Sequence, residues 1–154
     1  MQYRIRKSTA DDGQALVSIW RSSVADTHSF VSRADLKAID LEVQQFLPGM
    51  PAWLALDDHG QPIGFMGLTG NVVESLFVAG DHRGRGAGRA LIEHAMMKSP
   101  SLTTVVNEQN EEALGFYRHL GFVVVGRSPT DEEGRPYPIL HMKREKPLAQ
   151  GRRS

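Results

Sequence analysis

Cysteine is absent from this chain of 154 residues, which removes disulfides, thiolate nucleophiles and zinc–thiolate centres together. Net charge is absent too, since 18 basic residues are balanced by 18 acidic ones. That balance argues against a large nucleic-acid surface or an anionic-membrane surface. No apolar run approaches the roughly 20 residues that cross a bilayer. The opening MQYRIRKSTADDG carries charge but no apolar segment of a secretory signal. The six histidines, at positions 28, 59, 82, 94, 119 and 141, show no H-E-x-x-H or comparable metal spacing. There is also no G-x-S-x-G elbow for a serine hydrolase. The expectation is a cytoplasmic protein with no metal, no nucleic-acid partner and no membrane contact.

What is present is a regular alternation of patterns. YRIR reads as a first strand, and Thr9 caps a helix with Asp11 and Asp12 in its first turn and Leu16, Ile19, Trp20 and Val24 at helical spacing. Ser32 opens a second helix with Leu36, Ile39, Val43, Phe46 and Leu47 on one face, stopped by Pro48. AWLAL, PIGFMGL and VVESLFV are three strands separated by short turns. A glycine-rich stretch then leads into a helix from near Arg89 to about Lys98. LTTVV is a strand, NEEALGFYRHLG is a helix with a left-handed stop at Gly121, and FVVVG and ILHMK are the last strands. The order is β-α-α-β-β-β-α-β-α-β-β, read as one domain over residues 1–145 with a basic tail, 146–154.

The glycine-rich stretch DHRGRGAGRALIEHA concentrates flexible residues just before a helix. A helix N-terminus presents unpaired N–H groups and partial positive charge, so it attracts anions. Gly84, Gly86 and Gly88 let phosphate oxygens approach the backbone, and Arg83, Arg85 and Arg89 add charge beside it. The composite is a phosphate cradle. It lacks the Lys-Ser/Thr of a P-loop, and Arg89 or Leu91 stands where a dinucleotide fingerprint needs its third glycine or alanine.

Arg83-Gly84-Arg85-Gly86-Ala87-Gly88 resembles the Q/R-x-x-G-x-G/A signature of the GNAT N-acetyltransferase superfamily. Asn110 through Phe122 resembles that family's second motif, N-x-x-A-x-x-F-Y-x-x-x-G-F. SVADTHSF, VNEQNEEALGFY and GRPYPILHM further resemble its YjaB-type bacterial branch. The resemblance implies an α/β (α+β) acyltransferase fold with a mixed central sheet. It also implies acetyl-CoA as co-substrate, held by Arg83, Gly84, Arg85, Gly86, Ala87, Gly88 and Arg89. It places pantetheine along the strand backbone at Val78, with the Leu76 N–H aimed at the thioester oxygen. Gly80 stands where the family often has proline, which implies a looser loop entry.

With no cysteine to carry the acetyl group, direct attack by an amine is the economical mechanism. By spacing alone Tyr117 reads as a core aromatic on the apolar face of its helix; the motif match implies the family tyrosine that faces the CoA sulfur and protonates it. Asn110 is a helix cap, a contact to the pantetheine arm, or both. Glu74 shares strand parity with Leu76 and Val78, which predicts a carboxylate facing the same cleft as general base. The family more often places that glutamate two residues earlier, where this chain has Val72, and a solvated strand glutamate is the alternative. His28 is a second candidate base or substrate contact. Trp20, Phe30 and Tyr137 are candidate walls of an acceptor site shaped by the loops around 24–35 and 127–138. A non-catalytic acyl-CoA-binding module is the rival function, and either a monomer or a homodimer suits the sequence.

Overall fold

The computed structural model describes residues 3–27 and 30–145. His28 and the tail 146–154 lie outside the described residues. In chain order the elements are β1 (Arg4–Lys7), α1 (Gly13–Thr27), α2 (Arg33–Phe46), β2 (Trp53–Leu56), β3 (Pro62–Thr69) and β4 (Val72–Val78). They continue with α3 (Ala87–Lys98), β5 (Ser101–Asn107), α4 (Glu111–His119), β6 (Val123–Ser128) and β7 (Ile139–Glu145). The expected element order is the observed one. No described helix is long and apolar enough to cross a membrane.

The helix starts follow from their caps. The Thr9 hydroxyl accepts from Asp11 N–H while the Asp12 carboxylate accepts from Thr9 N–H, a reciprocal cap on a single 3₁₀ turn that leads into α1. The Ser32 hydroxyl accepts from Asp35 N–H at 3.1 Å to open α2. Gly121, at φ +96°, ends α4 in the left-handed region as expected.

Seven strands form one mixed sheet in the order β1-β2-β3-β4-β5-β7-β6. Alternation along the strands sends side chains to two cores. On one face Met66, Val73, Leu102 and Val106 pack beneath Leu91, Ile92 and Ala95 of α3 and Tyr117 of α4. On the other, Leu54, Phe65 and Phe77 pack beneath Leu16, Val17, Ile19 and Trp20 of α1. α2 buries no residue fully, and Phe46, expected on its inner face, is largely exposed.

Among the described residues the only parallel strand pair is β4 with β5, and it is short. Val72 faces Thr103 and Val73 faces Thr104, and no further pair follows. The Thr104 hydroxyl takes the Val73 carbonyl at 2.8 Å, so a side chain occupies the last acceptor of the ladder. Beyond it the two strands fork.

Candidate active site

The fork leaves one edge of β4 without a strand. Ala79 N–H donates to the Ile63 carbonyl of β3 at 2.8 Å. Hydrogen-bonding direction alternates along an antiparallel strand, so Ser75, Phe77 and Ala79 address β3. Leu76 and Val78 therefore aim their N–H and C=O groups into the fork. Their side chains pack towards the α3–α4 core, while Phe77 packs towards α1.

Glu74 does not follow the parity expected of it. Gly67 faces Ser75 and Leu68 faces Val73, so Glu74 is the extra residue of a β-bulge. Parity is broken there, and Val73, not Glu74, joins the core with Leu76. Glu74 is exposed at the first position past the paired register, outside the lining of the cleft described next. The Ser75 hydroxyl sits in the bulge and accepts from Gly67 N–H at 3.1 Å. A Cβ on Gly67 would lie 2.6 Å from that oxygen. The bulge thus needs a glycine on the neighbouring strand, a requirement visible only once the register is known.

From the fork a cleft of about 640 Å³ runs to the start of α3. Every cofactor position expected from the sequence lines it except Arg85. Arg85 is exposed, and its carbonyl accepts from the Tyr3 hydroxyl at 3.2 Å, which tethers the loop to the start of β1. The glycines serve different ends. Gly84 and Gly86 have φ of +77° and +95°, with open space where a Cβ would stand. Gly86 is the N-cap of α3 and offers no side-chain cap, so the first N–H groups of the helix stay available to a ligand in the cleft. Gly88 is different: a Cβ there would lie 3.1 Å from the Phe116 ring, so its bareness lets α4 approach α3.

Charge around the cradle is partly spoken for. Arg83 pairs with Glu112 of α4 at 3.2 Å, and Arg89 pairs with Glu93 one turn along α3 at 3.1 Å. Nor is the loop entry loose at Gly80. Its N–H donates to the Ser22 hydroxyl at 2.8 Å, a bond proline cannot make, and a Cβ would press on the Ser22 carbonyl at 3.2 Å.

Asn110 caps α4 through its side-chain oxygen, which accepts from Ala113 N–H at 3.1 Å, and it also lines the cleft. Tyr117 is buried beside the fork with edge-on ring contacts to Phe116 and Phe122, and it too lines the cleft. Burial pushes its phenol well above the ordinary tyrosine value, and the Thr104 hydroxyl offsets part of that rise. The group therefore stays protonated at neutral pH. Sequence reading missed Glu112 and Phe116 as lining residues. Their i, i+4 spacing from one another along α4 was visible, but the close approach of α3 was not.

The expected acceptor walls divide. Trp20 is a core residue, 6% exposed, and also backs a second hollow of about 350 Å³ with Phe46, Met50, Ser75 and Phe77. Tyr137 is a clamp: its hydroxyl donates to Asp35 and accepts from Ser32 N–H at 3.1 Å, tying the β6–β7 loop to the start of α2. Phe30 stands edge-on to that ring at 6.2 Å.

The model of the acetyltransferase (GNAT) domain family matches residues 48–124. The peptidyl-lysine N-acetyltransferase YjaB of Salmonella typhimurium is 47% identical, over 92% of this chain and 98% of that protein. The solution structure of apo YjaB from Escherichia coli superposes with a TM-score of 0.89 at 47% identity, covering 93% of this chain and 97% of that one. A GNAT superfamily phosphinothricin acetyltransferase from Sinorhizobium meliloti, solved in complex with AcCoA, shares the fold with a TM-score of 0.65 at 23% identity, covering all of this chain and 92% of that one. The forked sheet, the uncapped helix and these matches agree: the chain belongs to the GNAT family of N-acetyltransferases, enzymes that move an acetyl group to an amine.

Proposed function

We propose that this enzyme transfers acetyl from acetyl-CoA directly to the side-chain amine of a lysine in a peptide or protein. The acceptor class rests on the similarity to peptidyl-lysine acetyltransferases across almost the whole chain. The observation that carries the co-substrate is the cleft itself. It has an anion-binding helix start at one end, an unpaired strand edge along its length and a protonated phenol beside the fork.

In this reading Gly84, Gly86, Ala87, Gly88 and Arg89 hold the pyrophosphate through backbone N–H groups and charge, with Arg83 beside them. Val78 pairs with the pantetheine amides. The Leu76 N–H donates to the thioester oxygen, where negative charge grows as nitrogen attacks. The N–C bond forms as the C–S bond breaks, and Tyr117 gives its proton to the departing sulfur. An ordinary phenol (~10) lies above an ordinary thiol (~8.5) and burial lifts Tyr117 further, so the proton moves only as charge develops on the sulfur, which the same dry cleft makes more basic. The cofactor occupies the α3–α4 face, so the amine enters from the opposite face. There Glu74, at the mouth of the fork, attracts the ammonium form.

Titration calorimetry with acetyl-CoA, followed by CoA release with a peptide carrying one lysine, tests the reading. Saturable binding and N-acetyl-lysine in the product are expected. Turnover confined to a polyamine, an amino acid or an aminoglycoside would overturn the lysine assignment.

A further inference from the structure

One polar pair on the sheet is used neither by the fold's caps nor by the cofactor cleft. His141 Nε2 lies 2.8 Å from the Ser128 hydroxyl, across the β6–β7 pair. The ring rests over Gly126, 3.6 Å from where a Cβ would stand. The hydroxyl holds one ring nitrogen, and among the described residues no group bonds the other.

The register puts this pair beside the chemistry. His141 faces Val105 directly, and Val105 is the first residue of β5 past the last β4–β5 pair. Thr104 points into the core at Tyr117, so Val105 and its cross-strand partner His141 point to the opposite, helix-free side of β5. That is the face from which the amine must enter. Strands lie about 4.8 Å apart, so β7 stands one spacing from β5 and about two from an amine in the fork, a gap that the imidazole spans through one water.

We infer that His141, oriented by Ser128, is the group that takes the proton from the acceptor ammonium; this rests on the amine-transfer reading above. The ammonium proton goes to the free ring nitrogen and then to solvent. The neutral nitrogen attacks the thioester carbon, and the second N–H proton lost on collapse replaces the one Tyr117 gives to sulfur. Product amide, CoA thiol and one released proton close the balance. The charged groups on the same face are few. β5 brings Thr103, Val105 and Asn107, β6 brings Val123 and Ser128, and β7 brings Lys143, paired with Glu145 at 3.1 Å. Glu74 lies across the fork.

The experiment follows kcat/KM for a single-lysine peptide between pH 6 and 10 in wild type, His141→Gln, His141→Ala and Ser128→Ala, with acetyl-CoA affinity as the control for folding. Both His141 variants should lose about 10²-fold at neutral pH. That loss should shrink towards pH 10, where free lysine amine (pKa ~10.4) needs no base. Imidazole in the buffer should restore part of the His141→Ala rate, because the face is open. Ser128→Ala should lose less. Full activity in the His141 variants, or an equal loss at every pH without imidazole rescue, overturns the proposal. A wild type that releases no CoA with the peptide removes the lysine reading and the proposal with it. A variant that no longer binds acetyl-CoA shows a structural role instead, which also overturns it.

Discussion

The two helices that border the cleft begin in opposite ways. α4 opens on Asn110, whose side chain satisfies its own first turn, and follows with Glu111 and Glu112. α3 opens on Gly86, with no side chain to cap it and no acid in its first turn. Both helix ends carry the same partial positive charge. What distinguishes them is who satisfies the N–H groups: in α4 the protein does, in α3 a ligand can. An anion site is thus made as much by leaving out a cap as by adding arginines.

The strongest way to sharpen that contrast is to show that α4 works through its middle and not its end. Tyr117→Phe keeps the ring contacts to Phe116 and Phe122 and removes only the hydroxyl. Steady-state kinetics should show kcat falling about 10²-fold, with acetyl-CoA affinity in calorimetry almost unchanged. Full turnover, with chemistry shown to be rate-limiting, would reduce the residue to packing.

Breaking the α3 end should come next in size. Gly86→Val places a β-branched residue at φ +95° and a side chain over the helix start. Acetyl-CoA binding should weaken about 30-fold, the equivalent of one charge-assisted hydrogen bond, while circular dichroism stays native. Undiminished affinity would show that the open helix end is not the phosphate site.

At the α4 end the change should appear in stability. Asn110→Ala should cost about 1 kcal/mol in a denaturant melt, and Asn110→Asp should recover most of it. An Asn110→Ala protein of full stability would mean the cap is not what completes this helix start.

The smallest effect belongs to the reciprocal cap ahead of α1 and shows only in acid. The Arg6 guanidinium, 2.9 Å away, and the Thr9 N–H hold the Asp12 carboxyl down to about 2. The unfolded value is about 3.9. The native state therefore favours the ionised form, and this stabilisation is complete above pH ~4 and drains away as pH falls towards 2. Thermal melts across that window should slope downward in the wild type and lose part of the slope in Asp12→Asn. Identical slopes would assign the acid sensitivity elsewhere.

Much of this was legible in the sequence because it is local. Val72–Val78 reads as a strand by composition, Ser32 and Asn110 as caps by residue type, and Gly121 as a left-handed stop by position. The cradle was legible because its glycines, arginines and helix start are contiguous. What escaped depends on partners distant in the chain. The bulge at Glu74 is set by Gly67 on another strand, so parity counted along β4 alone placed that carboxylate wrongly. The reason for Gly88 is the Phe116 ring, and the Tyr137 hydroxyl, taken as a pocket wall, is held by Asp35 on a helix 102 residues away. Periodicity reported that Phe46 sits on an apolar stripe, not that the stripe overhangs a hollow.

The short β4–β5 seam has a consequence beyond placing the cleft. Within the sheet, four strands on one side of the seam and three on the other are joined by two residue pairs and one threonine hydroxyl, so it is the packing of α3 against α4 and the Tyr137 clamp that hold the two sides together around the fork. A molecule lying along Leu76 and Val78 acts as a splint across that seam. Ligand binding and mechanical stiffness then become the same event: saturating acetyl-CoA should raise the melting temperature and slow amide exchange most at those two residues.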